Sequence, residues 1–261
     1  MKRLLFIPMY NCEKQIPRVI TQLTPEITAH FQQLLMVDNR SPDSTLNTAI
    51  EAAKSLPIPV EIVKNSENYG LGGSHKVAFE YALTNGFEEV VVLHGDDQAR
   101  VQDLLPVLQQ DTSAHQCWLG ARFAPGSSLI GYSAFRIFGN RVFNWLFSAV
   151  LFRTVYDLGS GLNLYQTSML ASRYYLNFPD DLTFNYAMVL AISGYKQDAR
   201  FFPISWREED QISNVKLFSQ ARRVLGMLAK YAFLRKSFLK KEMRMTPRDT
   251  YPFESQFKQG L

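Results

Sequence analysis

From its first residues the chain alternates short apolar runs with stretches whose apolar residues recur at helical spacing. Residues 4–7, 34–37, 60–63 and 90–93 each read as a buried strand, and 117–121 as a fifth. Between them, residues 13–23, 43–55 and 74–85 predict amphipathic helices, with another around 101–110. Strands alternating with helices at this rhythm predict βαβ units and a parallel sheet. The second half is less regular. A loop over 126–131 leads into an apolar helix over 135–152, then a turn-rich loop over 157–161. Helices follow near 167–176 and 183–193, with Gly194 as a helix C-terminal residue. A strand over 201–206 precedes a polar run over 207–214. Residues 217–245 form a basic amphipathic stretch. Leu217, Val224, Leu228 and Phe238 mark its apolar side, and Arg222, Arg223, Lys230 and Arg235 flank it. The expected division is an α/β domain over 1–216 and a basic, helical extension over 217–261.

Composition narrows this picture. With 261 residues, 46% of them hydrophobic, the chain can bury the core of one large α/β domain with a helical appendage. A net charge of +4 with 20% charged residues is too weak a bias to point to nucleic acid. Cys12 and Cys117 have no metal-ligand spacing near them and read as free thiols in a reducing compartment. The apolar run after Met1-Lys2-Arg3 is too short for a signal peptide. Arg136, Asn140, Arg141 and Asn144 argue against a bilayer span in the apolar helix. A cytosolic protein is expected, peripheral on the inner face of the membrane if residues 217–245 lie on an anionic surface. The same stretch could instead pack on the domain with a solvated basic side.

Parallel sheets bind ligands beyond the carboxyl ends of their strands, and there the loops are polar or glycine-rich. The first strand is followed by Pro8-Met9-Tyr10-Asn11 and the second by Asp38-Asn39-Arg40-Ser41. After the third comes Asn68-Tyr69-Gly70-Leu71-Gly72-Gly73, and after the fourth His94-Gly95-Asp96-Asp97-Gln98. Asp96 and Asp97 can hold Mg²⁺ or Mn²⁺ beside a diphosphate, or simply cap the next helix. Asp38 can accept hydrogen bonds from a nucleobase or ribose, or open a turn with Ser41 or Asp43 as N-cap. The glycine-rich loop allows close approach to a phosphate or sugar, or makes a tight turn. Its spacing fits neither a P-loop nor the dinucleotide fingerprint.

Taken together, the segments "FIPMYNCE", "MVDNRSPDST", "NSENYGLGGSHKVAFEYA", "VVLHGDDQ", "GARFAPGSS" and "DLGSGLNLY" resemble the family 2 glycosyltransferases. The likeness is to their dolichyl-phosphate mannose synthase-like branch. It spans roughly residues 3 to 165, with an echo near 201–216. It implies the GT-A fold, a Rossmann-like, mostly parallel sheet flanked by helices. By that resemblance Pro8, Tyr10, Glu13 and Asp38 line the nucleotide pocket, with Asn68, Gly70 and Lys76 from the glycine-rich segment. Asp96 is the principal ligand of Mg²⁺ or Mn²⁺, joined by His94 and Asp97, and Gln98 lies close to the diphosphate. Arg122 and Arg136 face phosphate groups, and Asp157, Ser160 and Gly161 flank sugar and acceptor. The mannose synthases' Arg-x-x-Gly-x-Ser-Lys segment is not kept: Arg207, Ser213 and Lys216 stand at altered spacing, with Arg207 and Lys216 expected at the donor. The chain departs from the family where His94-Gly95-Asp96 replaces Asp-x-Asp and where Asn39 stands for a common second Asp.

The reaction implied is inverting transfer from a nucleoside-diphosphate sugar to a polyprenyl phosphate or a glycan, in cell-envelope polysaccharide or glycolipid synthesis. A hydroxyl acceptor needs a general base, for which Asp181, Glu208, Glu209 and Asp210 are candidates. A phosphate acceptor needs none. Two rivals remain at this stage. A nucleotidyltransferase would want a glycine- and arginine-rich signature where Tyr10-Asn11-Cys12-Glu13 stands. A degenerate sugar-nucleotide-binding or scaffold protein is favoured by His94.

Overall fold

In the computed structural model, residues 1–209 and 217–261 are described. The apolar runs of the first half form β1 (Arg3–Met9), β2 (Gln33–Asp38), β3 (Val60–Asn65) and β4 (Glu89–Leu93). They are linked by α1 (Ile16–Thr21), α2 (Pro25–Thr28), α3 (Thr45–Ala53) and α4 (Gly70–Thr84). Next come α5 (Leu105–Leu108), β5 (Cys117–Ala121), β6 (Ser128–Ile130), α6 (Ala134–Leu151), β7 (Leu162–Gln166) and α7 (Thr167–Leu170). The chain continues through α8 (Phe184–Gly194), β8 (Ala199–Pro203), β9 (Ser205–Arg207), α9 (Leu217–Lys240) and β10 (Phe253–Gln259).

One sheet runs in the order β10-β3-β2-β1-β4-β7-β5-β8. β1 to β4 are parallel, as the alternation predicts, while β7 is antiparallel to both β4 and β5. The period-2 geometry of a strand splits the core in two. Leu4 and Phe6 face a cluster with Phe79, Phe147 and Phe184. Leu5 and Ile7 face the other, with Ile16, Val19 and Ala49. Each such side chain taken fully from water contributes about 1.5–3 kcal/mol.

The pattern does not announce three features. The strand β7 enters the middle of the sheet, where a loop and then a helix are expected. Its Leu162 and Leu164 join one cluster and Tyr165 the other, so a five-residue run suffices once both faces are covered. The strand expected over 201–206 breaks at Ile204. β8 stays in the main sheet, and β9 pairs with β6, inside the expected loop. The 217–261 stretch is helical only through Lys240. It then returns to the main sheet as β10, antiparallel to β3.

The helix α9 packs with Val224, Leu228, Tyr231, Phe238 and Leu239 buried, so its apolar side is core and its basic side faces out. Cys12 and Cys117 are buried and free, and burial pushes the Cys12 thiol up to about 12. Among the described residues no helix is long and apolar enough to cross a membrane.

Candidate active site

The carboxyl ends of β1, β2 and β4 lie side by side in the sheet, and the residues that follow them converge. Gly95 N donates to Pro8 O, which ties the acidic loop to the end of β1. Pro8 is buried, whereas Tyr10 is 48% exposed beside it and open to stack on a ring. Asp38 is fully buried at the end of β2, and its carboxylate accepts from Ser41 N. Glu13 Oε2 accepts from Ser44 N, fastening the β1 loop to the start of α3.

The acidic loop separates its two carboxylates. Asp97 has φ +60°, a left-handed turn that swings its side chain toward α1. There it is paired with Arg18 at 2.6 Å and with Arg207, and Gln22 Nε2 donates at 2.9 Å. Asp97, expected to ligate a metal, and Arg207, expected to meet the donor, are thus paired with each other. A fully buried carboxylate needs those partners, and they use its lone pairs. Asp96 instead stays partly buried at the strand end, where Gln98 N reaches Oδ1 at 3.2 Å. Burial pushes its carboxyl up to about 6, with the charge of Asp97 adding to the effect and the Gln98 amide opposing it.

The His94 ring sits between two neighbours. His94 N donates to Gly161 O, and a Cβ on Gly161 would lie 2.6 Å from the imidazole. On its other side it meets His75 edge-on, 5.8 Å between centroids. Burial, aided by the charge of Arg122, lowers His94 to about 4, so the ring is neutral at physiological pH. Its Nε2 has no hydrogen-bond partner among the described residues. Among those residues no group of three or more His, Cys, Asp or Glu is placed to share a cation. The trio His94, Asp96 and Asp97 is therefore not assembled.

The arginines divide similarly. Arg122 and Asp157 form a buried bidentate pair, Nε–Oδ2 and Nη2–Oδ1 both 2.7 Å. Burial opposes the charge of each group, but their mutual attraction wins, raising Arg122 and lowering Asp157. Trp206 stacks on the guanidinium at 4.9 Å. Arg122 and Asp157, expected at phosphate and sugar, thus hold each other. Arg136 is more open, in the first turn of α6, where Ser133 Oγ caps its N–H. It pairs with Glu208 at 2.5 Å and lies over Tyr132. Gln98 Nε2 reaches the same Glu208 at 3.5 Å. The 99–206 bridge and Arg207 N to Gln98 O hold β9 across the acidic loop, which is how Glu208 arrives there.

Other expected residues are structural. A Cβ on Gly70 would lie 2.5 Å from Asp180 O, and one on Gly72 2.4 Å from Pro179 O. The glycines let α4 dock closely on the 179–180 backbone. Lys76 is fully buried, with Nζ donating to Phe178 O, Asp180 Oδ1 and Tyr251 OH. Asn68 Oδ1 accepts from Asn39 and from Gly70 N. Asn39 also accepts from Asn65 and Tyr69 N. It both donates and accepts, which an Asp could not, and nothing in the pattern reveals that role.

Ser160 is buried against Leu162 O and Asn163. Asp181 accepts from Thr183 N and Oγ1 just before α8 and pairs with Arg223 of α9 at 2.6 Å. Glu209 is exposed. Asp210, Ser213 and Lys216 lie outside the described residues.

Comparison with known proteins supplies the context. The family model described as glycosyl transferase family 2 matches residues 5–171. The polyprenol monophosphomannose synthase of Mycolicibacterium smegmatis is 23% identical over 172 residues, covering 65% of this chain and 63% of that protein. The undecaprenyl-phosphate mannosyltransferase of Micrococcus luteus is 25% identical over 174 residues, covering 65% and 68%. The chain thus matches about two thirds of these relatives' length. Among solved structures, glucosyl-3-phosphoglycerate synthase of Mycobacterium tuberculosis, in complex with Mn²⁺, uridine diphosphate and phosphoglyceric acid, superposes with a TM-score of 0.63. It is 14% identical and covers 98% of this chain and 86% of that one. The likeness shows the shared GT-A fold.

Proposed function

This chain belongs to glycosyl transferase family 2, and from that premise we propose that it moves a sugar, with inversion, from a nucleoside-diphosphate sugar to a polyprenyl phosphate. The observation that carries the reading is that Tyr10, Asp38, Asp96 and Gln98 follow or end three adjacent strands at one sheet edge, where Gln98 reaches the Arg136–Glu208 pair. Tyr10 and Asp38 are suited to base and ribose. The names of the curated relatives support the acceptor class, and a nucleotide–Mn²⁺ complex of a protein with the same fold supports the donor class.

A divalent cation, Mg²⁺ or Mn²⁺, fits the residues present. Asp96 is a carboxylate whose charge burial and Asp97 disfavour, and a cation would relieve that. His94 brings a neutral imidazole with an unpaired nitrogen. Asp96 would hold the ion, with His94 as second donor and diphosphate oxygens completing the shell. When bound, the ion supplies positive charge to the leaving diphosphate.

The protein's own groups do the rest. Gln98 orients Asp96 through its amide. Asp157 and Trp206 fix Arg122, and Arg18 and Arg207 fix the turn at Asp97. Arg136 sits at the positive end of an 18-residue helix, where an anion is favoured. An acceptor phosphate would replace Glu208 on it. That acceptor is already a nucleophile, so Glu208 need not be a base. Exposed Arg222, Lys230 and Lys236 on α9 suit a protein that works beside an anionic membrane.

The test is transfer of radiolabelled sugar to polyprenyl phosphate against a panel of glycan acceptors. Labelled lipid phosphate is expected. Glu208→Gln and Asp181→Asn should each cost no more than about tenfold, whereas losing a true base costs about 10²–10⁴. Labelling of hydroxyl acceptors alone, with one indispensable carboxylate, overturns the phosphate acceptor. A second reading, a non-catalytic sugar-nucleotide-binding scaffold, draws on the unassembled ligand trio. Donor hydrolysis with and without Mn²⁺ separates it.

A further inference from the structure

The helix α6 is apolar on both its inner and its outer side. The side chains it buries are Asn144, Phe147 and Leu151. Its solvent side carries Phe135 at 70% exposure, Phe138 at 69%, Val142, and Trp145 at 69%, and ends at Phe152, 96% exposed. Steps of three, four, three and seven residues put these on one side of a helix, about 27 Å long at 1.5 Å per residue. Phe152 ends it with φ +53°, a left-handed cap position that glycine fills at least cost. A phenylalanine there gains nothing from the fold.

Charge says what covers this side. The helix carries Arg136 and Arg141 and no carboxylate. α9, which packs against it, also lacks Asp and Glu and exposes Leu225 and Phe233 among Arg222, Lys230 and Lys236. Exposed aromatic side chains and cations on two helices in contact, with no acidic residue on either, are complementary to an anionic lipid surface. A polar protein partner would instead leave the aromatics without a matching surface.

We propose that α6 is the element that docks this protein on anionic bilayers. Phe135, Phe138, Val142, Trp145 and Phe152 enter the interface, and the cations of α6 and α9 meet lipid phosphates. The inference rests on the lipid-phosphate reading for its purpose, because Arg136 lies at the active-site end of the same helix.

The experiment reads docking without donor or acceptor, so its failure and that of the transferase reading are distinguishable. Of the three tryptophans, Trp118 and Trp206 are buried and Trp145 is exposed. Tryptophan emission of the full chain, titrated with phosphatidylglycerol vesicles, therefore reports α6. A blue shift, quenching by brominated lipid, and flotation with the vesicles are expected. All should be weakened by salt and largely absent with pure phosphatidylcholine. Phe138→Ser together with Trp145→Ser should reduce vesicle binding by about tenfold or more. The melting temperature should stay unchanged, since both side chains are already in water. Arg141→Ala, which leaves the tryptophan in place, should weaken binding less. No emission change with anionic vesicles overturns the proposal. So does a blue shift that appears without lipid and tracks a monomer–dimer equilibrium, since the stripe is then covered by a second copy.

Discussion

Asp96 and Asp97 are chemically identical and adjacent, yet the backbone gives them opposite tasks. Asp97, turned to Arg18 and Arg207, is a brace. Asp97→Asn should destabilise the protein by about 1–3 kcal/mol by leaving two arginines short of charge, as urea denaturation would show. Asp96 is the site. Its raised value means that the metal-free folded state binds a proton more tightly than the unfolded chain does. Its contribution to stability therefore falls as pH rises from about 4 toward 6,. Asp96→Asn should accordingly melt higher than the metal-free wild type at pH 7.5 and about equally at pH 4. A lower melting temperature at both would contradict the burial account. The acidic loop after a buried strand was legible in the sequence. Which of its carboxylates faces inward was not, because that depends on one backbone angle and on Arg207, more than a hundred residues away.

Among the elements, the first four strands and their helices were legible because each is an uninterrupted apolar run beside a helical repeat. β7 and β10 were not. β7 is five residues long and takes its stability from neighbours on both sides. β10 is a polar edge strand with Phe253 and Phe257 as its large apolar residues. The glycine-rich segment was legible as a close approach, but not what it approaches. With Lys76 it locks α4 to Asp180 and to Tyr251, which precedes β10. Lys76→Met should cost about 3 kcal/mol, the usual consequence of unpairing a buried charge, moderated because Asp180 keeps Tyr251. Removing residues 249–261 should go further by exposing the β3 edge. Light scattering should then show aggregation of a chain whose intact form stays dispersed.

For the whole molecule, the sheet brings the loops after β1, β2 and β4 to one edge, and β9 closes over the acidic loop with Arg207 and Glu208. α6 leads from Arg136 toward the exposed aromatic stripe. The proposed donor, acceptor and lipid contacts thus start at the sheet edge and share the helix α6. The central claim is that Asp96 holds a cation for a nucleoside-diphosphate sugar. The most direct test is titration calorimetry of uridine- and guanosine-diphosphate sugars into wild type and Asp96→Ala, with Mn²⁺ and with excess EDTA. The account predicts that one of these donors binds wild type with Mn²⁺, and that binding drops by about a hundredfold or more with EDTA or with Asp96→Ala. Equal donor affinity in all four conditions would contradict it.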